Sequence, residues 1–93
     1  MRVTEILWLQ KIVDKIEVKH HLLKEEVEEI FANKPQYRFV EEGDVDGEPL
    51  YAALGRTDAG RYVIALFIFK PGGRALIISA RDMDRKERRL YGK

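Results

Sequence analysis

The chain contains no cysteine. That excludes a disulfide scaffold, a cysteine-based zinc site and a cysteine nucleophile. Proline is scarce, and no apolar run approaches the ~18 residues of a membrane-spanning helix. Met1-Arg2-Val3-Thr4-Glu5 does not read as the start of a signal peptide, because Glu5, Lys11 and Asp14 interrupt any apolar segment. The expectation is a soluble, cytoplasmic protein with no membrane partner. No glycine-rich phosphate loop is present, and Gly72-Gly73 reads as a plain turn. Ser79 lacks the Gly-x-Ser-x-Gly setting of a hydrolase nucleophile and reads as a sheet-face hydroxyl.

What is present is a foldable core and a divided charge. Hydrophobic residues make up 45% of 93 residues, which argues against disorder and predicts one domain over 1–93. The 17 Lys+Arg and 16 Asp+Glu nearly cancel, to a net charge of +1. Residues 1–50 carry 7 basic against 12 acidic side chains, a net of −5, and residues 51–93 carry 10 against 4, a net of +6. Such asymmetry predicts an acidic face and a basic face with different partners.

The apolar segment Val3–Leu9 is compatible with a strand or with the start of a helix. Ile12, Val13 and Ile16 then follow a helical period, predicting a helix over about 10–19. A second helix is predicted around Lys24–Phe31, with Leu23, Val27, Ile30 and Phe31 as its apolar stripe. Its acids, Glu25, Glu26, Glu28 and Glu29, lie toward the N-terminal end, where the helix dipole favours them. They form either a solvated face or an interaction surface, and nucleic acid should avoid them. Pro35 closes that helix.

From Tyr37 the period becomes two. Strands are predicted over 37–42, 50–56, 61–69 and 74–80, joined by a turn-rich Gly43–Pro49 segment, a Thr57–Gly60 hairpin loop and the Pro71-Gly72-Gly73 turn. The third of these is apolar on both faces and should be central and covered on both sides. Trp8, Phe67 and Phe69 are expected core residues. Asp84 and Glu87 form a capping-box pattern before a basic helix, Arg85–Tyr91, too short to persist unless it docks on the sheet. The fold class is α+β: a small antiparallel sheet with two N-terminal helices and a short C-terminal helix.

Two constellations could carry chemistry. Lys19-His20-His21 ends the first helix. Adjacent helical residues point about 100° apart, so His20 and His21 do not face one metal, and no metal or other cofactor is expected. The cluster is either a cationic turn that complements the dipole or a proton-transfer group at a groove edge. The second constellation is arginine-rich. Arg56 and Arg61 flank the hairpin loop, Arg74 begins the last strand, Ser79 and Arg81 share a face near its end, and Arg85, Arg88 and Arg89 lie on the last helix with Tyr91. Guanidinium forks suit phosphate oxygens and stack on bases, so this half is expected to bind phosphate.

Several pieces together resemble the BrnT toxin family: Trp8, Lys19-His20, Glu25-Glu26-Val27-x-x-Ile30-Phe31, Ala53-Leu54-Gly55-Arg56-Thr57, Gly60-Arg61, Ile77-Ile78-Ser79-Ala80-Arg81 and Glu87-Arg88-Arg89-x-Tyr91. The resemblance implies a RelE-like fold and an endoribonuclease toxin of a type II toxin–antitoxin system that inhibits translation. It implies a BrnA-like antitoxin that occludes the toxin and binds operator DNA, so DNA would be met only through that partner. Where the family pattern has Lys-His-Gly-Val this chain has Lys19-His20-His21-Leu22, which predicts a different turn between the helices.

With that resemblance, the expected chemistry is metal-independent RNA cleavage. Lys19 or His20 would transfer protons, Arg61, Arg74 and Arg81 would stabilise the phosphate, and Tyr91 would stack on a base or donate a proton. Arg56, Arg85, Arg88 and Arg89 would bind the RNA backbone. The alternatives are a RelE-like protein- or RNA-binding module with weak or no catalysis, and a small structural or regulatory domain unrelated to RNA. The last predicts no salt-dependent affinity for nucleic acid.

Overall fold

A computed structural model of the chain describes residues 1–42 and 48–92. The elements follow in the order β1 (Glu5–Leu7), α1 (Gln10–His20), α2 (Lys24–Ala32), β2 (Gln36–Glu42), β3 (Pro49–Arg56), β4 (Tyr62–Lys70), β5 (Arg74–Asp82) and α3 (Arg85–Leu90). Most of the predicted Gly43–Pro49 turn lies outside the described residues. Strands β2 to β5 form an antiparallel meander, and the sheet order is β1-β5-β4-β3-β2.

The expected antiparallel sheet is corrected to a mixed one. β1 pairs parallel with β5, placing Glu5, Ile6 and Leu7 opposite Arg74, Ala75 and Leu76. Three residues cannot declare a period, and their partner lies some seventy positions away, so the sequence left this segment open. A tight approach fixes the pairing. Thr4 N–H donates to the Gly73 carbonyl at 2.8 Å and Thr4 Oγ1 donates to the Gly72 carbonyl at 2.8 Å. Gly73 has φ 81, and a Cβ there would lie 2.9 Å from the Arg2 carbonyl oxygen, so only glycine fits.

β4 is central, as its apolar run required, but the two faces are covered differently. Val63, Ala65 and Phe67 face α1 and α2 and join Ile12, Ile16, Leu22, Val27, Ile30, Ala53, Ala75, Ile77 and Ala80 in the main core. Phe67 is fully buried, while Trp8 and Phe69 pack at the margin. On the other face Ala52, Leu54 and Ile64 pack with Met83, beside Tyr62, Leu66 and Tyr91. α3 buries none of its own residues and docks through the flanking Met83 and Tyr91. Its capping box forms as the sequence indicated, with Glu87 N–H donating to Asp84 Oδ1 at 2.8 Å and Asp84 N–H to Glu87 Oε1 at 2.9 Å.

Three of the four acids of α2 have internal partners, and Glu25 is exposed. Glu26 accepts from Leu23 N–H at 3.0 Å, Glu28 from Trp8 Nε1 at 3.1 Å, and Glu29 from Asp58 N–H at 3.0 Å. Glu28 and Glu29 tie the N-terminal segment and the hairpin loop to the helix, so this part of the face is more than solvated.

The turn after α1 keeps the shape that a glycine would take. His21 itself adopts the left-handed conformation, φ 52 and ψ 41, and its N–H reaches back to the Glu17 carbonyl. A side chain in this region is strained. His21→Gly is therefore expected to raise the unfolding free energy by about 0.5 kcal/mol. Urea unfolding checks this, and a lower midpoint would contradict it.

Candidate functional site

The end of β3, the start of β4, the end of β5 and the C-terminus of α1 meet at one end of the sheet. Strand alternation splits their side chains between two faces. Arg56 pairs with Tyr62 and Arg81 with Ile64, which places all four on the α3 side. Asp82 pairs with Val63 and so points to the α1–α2 side, as does Arg61, one residue before Tyr62.

On the helix side Arg61 is a hub. Its Nε donates to Asp82 Oδ1 at 2.6 Å, and Nη2 donates to Asp82 Oδ2 at 3.0 Å and to the His20 carbonyl at 2.8 Å. Nη1 donates to the His21 carbonyl at 2.9 Å and meets Glu26 Oε1 at 3.4 Å. All five N–H donors of the guanidinium are thus engaged. The guanidinium caps the carbonyl end of α1 while binding the first turn of α2 and the last residue of β5. Hydrogen bonding from Arg61 holds the Asp82 carboxyl below its usual range, partial burial opposes this, and the charges of Arg61 and then His20 add to the lowering. Lys19 is exposed and His20 half-buried beside this network.

On the α3 side the guanidiniums of Arg56 and Arg88 lie over the Tyr62 ring, 4.6 Å and 4.1 Å from its centroid. Tyr91 packs edge-on against Tyr62, with centroids 6.0 Å apart. Arg56 also donates to the Gly60 carbonyl. Arg81 grips Glu87 through two bonds of 2.7 and 2.8 Å, joining β5 to α3, and Arg81 is the chief cause of the lowered Glu87 carboxyl. Arg85, Arg88 and Arg89 are exposed, and among the described residues none of them makes a salt bridge. An open groove of about 450 Å³ lies between them, lined also by Tyr62 and Met83.

Nine of the ten residues singled out from the sequence therefore gather at one end of the sheet, on two faces. Arg74 does not. It begins β5, roughly 23 Å along the strand from Arg81, and donates to the Pro71 carbonyl. Sequence reasoning missed Tyr62, Met83 and Asp82 as members of this region. Tyr62 was not legible, since the expected Thr57–Gly60 loop sets Arg56 opposite Arg61, and the observed register is one residue longer and brings Arg56 opposite Tyr62. Nor was Asp82, because its pairing with Arg61 depends on the β4–β5 register. Among the described residues no three His, Cys, Asp or Glu side chains group as a metal site.

The sequence profile of a family described as the ribonuclease toxin BrnT of type II toxin–antitoxin systems matches residues 10–87. The chain belongs to the BrnT family. The match spans α1, α2, the meander and the Arg81–Glu87 junction, and Arg88, Arg89 and Tyr91 lie beyond it. Comparison with curated proteins gives no match. Among solved structures, the chain is similar to the 1.1 Å crystal structure of the Brucella abortus ribonuclease toxin BrnT, with a TM-score of 0.61 and 15% identity. That alignment covers 89% of this chain and 100% of the other. At this identity the likeness speaks to the fold, which is BrnT-like. No helix of the described residues is long and apolar enough to cross a membrane.

Proposed function

We propose that this BrnT-family chain is a metal-independent endoribonuclease that inhibits translation by RelE-like RNA cleavage and is neutralised by a BrnA-like antitoxin, through which alone it meets DNA. The observation that carries the reading is the convergence of Lys19-His20 and the arginines of the family pattern on one end of the sheet. In the proposed reaction the ribose 2′-hydroxyl attacks the adjacent phosphorus. His20, or Lys19 in its place, takes the hydroxyl proton, a 2′,3′-cyclic phosphate forms as the P–O5′ bond breaks, and the 5′-oxygen takes a proton from water. The side chain of Lys19, next to His20, faces the developing phosphate charge, while Arg81, on the other face of the sheet and gripped by Glu87, is a positioning residue that joins β5 to α3. Arg61, with every donor engaged, is a positioning residue that holds the end of α1. Tyr91 orients Tyr62. No role is proposed for Arg74, which lies at the far end of β5.

The test is cleavage of RNA by the purified chain in excess EDTA, with and without ribosomes. Products ending in a cyclic phosphate are expected in EDTA. Cleavage that stops in EDTA and returns with a divalent ion would overturn metal independence, and no cleavage under any condition would overturn the ribonuclease reading.

One observation favours a second reading, a binding module without catalysis. Two of the arginines expected to stabilise phosphate are held by carboxylates, Arg61 by Asp82 and Arg81 by Glu87. Growth inhibition on expression without a partner separates the readings, since only the catalytic one predicts it.

A further inference from the structure

Three features of the α3 face point to a ligand. Arg85, Arg88 and Arg89 are exposed cations without salt-bridge partners among the described residues, in contrast to Arg61 and Arg81. The guanidiniums of Arg56 and Arg88 both sit over the Tyr62 ring, which positions two planar groups before anything binds. The groove, about 450 Å³, is in the range of small-ligand sites, and its Met83 floor is apolar.

We propose that this groove is a subsite for single-stranded RNA, in which the outer face of the Arg88 guanidinium stacks on a base and Arg85 and Arg89 take the flanking phosphates. A preorganised guanidinium is a stacking platform that tolerates every base, because every base has a π-face. Phosphates suit the two remaining forks. An acidic peptide would match the charge but would leave the planar face of the Arg88 guanidinium without a stacking partner. The groove lies on the face opposite His20 but at the same end of the sheet. A strand held there passes over the sheet end to reach the α1 terminus. The proposal rests on the ribonuclease reading for the choice of RNA, and places the grip on the substrate away from the reacting phosphate.

The test measures binding of the full chain to a fluorescein-labelled, 2′-O-methyl single-stranded RNA of about 12 nucleotides, across a salt series. This probe lacks the attacking hydroxyl, so binding is read without cleavage. Arg89→Ala is expected to reduce the slope of log affinity against log salt by about 0.7, one phosphate contact. Arg88→Ala is expected to weaken binding about tenfold. Arg88→Lys should keep the salt slope and lose most of that affinity, because an ammonium cannot stack. Lys11→Ala, on the exposed side of α1, should leave both quantities unchanged.

Wild-type affinity and slope in Arg88→Ala and Arg89→Ala would overturn the proposal. So would unchanged RNA binding in variants that no longer bind a protein antitoxin, which would assign the groove to that partner. Groove-dependent binding of the uncleavable RNA, with no cleavage of ordinary RNA by the wild type, would sink the ribonuclease reading and keep the subsite. Intact cleavage with groove-independent binding would do the reverse.

Discussion

Arg61→Ala is expected to lower the unfolding free energy by about 3 kcal/mol. The guanidinium joins three elements at this corner: the α1 terminus through the His20 and His21 carbonyls, the first turn of α2 through Glu26, and β5 through Asp82. Hydrogen bonds to a charged group contribute about 1.5–3 kcal/mol each when shielded. Here Arg61 is 25% exposed and Asp82 55%, so solvent screening lowers the sum well below five such bonds. Arg61→Lys should recover only a minor part, because one ammonium cannot reach four partners from a planar fork. Urea unfolding measures both, and a loss below about 0.5 kcal/mol would mean that the network is a surface feature without structural weight.

The same bond has a pH signature. Asp82 has a lower pKa in the folded chain than its ordinary value, and so has Glu87, held by Arg81. The unfolded chain therefore takes up these protons first as pH falls. The stability that the pairs contribute is present above the ordinary carboxylate range, at about pH 4, and is lost as pH falls through the lower folded values. The difference between wild type and Arg61→Ala should accordingly shrink on acidification. A difference that grows toward low pH would contradict the assignment.

His20→Ala is expected to reduce RNA cleavage by about 10²–10⁴-fold, the usual contribution of a positioned proton-transfer group. Its backbone carbonyl, and not its imidazole, is what Arg61 holds, so the variant should keep its fold and its affinity for uncleavable RNA. That separates a catalytic loss from a structural one. Arg61→Ala should show the opposite pattern, with stability falling together with activity as the α1 terminus loosens. If His20→Ala cleaves within a few-fold of wild type while Lys19→Ala does not, the proton-transfer role passes to Lys19.

Much of the architecture was legible in the residues. The helical period of Ile12, Val13 and Ile16, the alternation after Tyr37, and the Asp84-x-x-Glu87 box each declare an element within a few positions. β1 was not legible, because three residues acquire strand identity only from β5. His21 shows the converse. A residue unlike the family pattern suggested a new turn, yet tertiary contacts hold it in the left-handed region, with Arg61 on its carbonyl. The arginines looked alike in sequence and differ in the fold by what they touch.

By itself, the sequence determined the element types after β1, the α+β class, the crowding of basic residues into the second half and the resemblance that the family match bears out. These are local or compositional properties, carried by periodicity and residue chemistry. Only the tertiary structure decided which arginines are engaged and which are open, and that the sheet separates His20 and Arg61 from the Arg56–Tyr62–Arg88 stack. The reason is register. Side chains alternate across a strand, so the face each arginine occupies, and whether a carboxylate waits there, depends on pairing between segments distant in the chain.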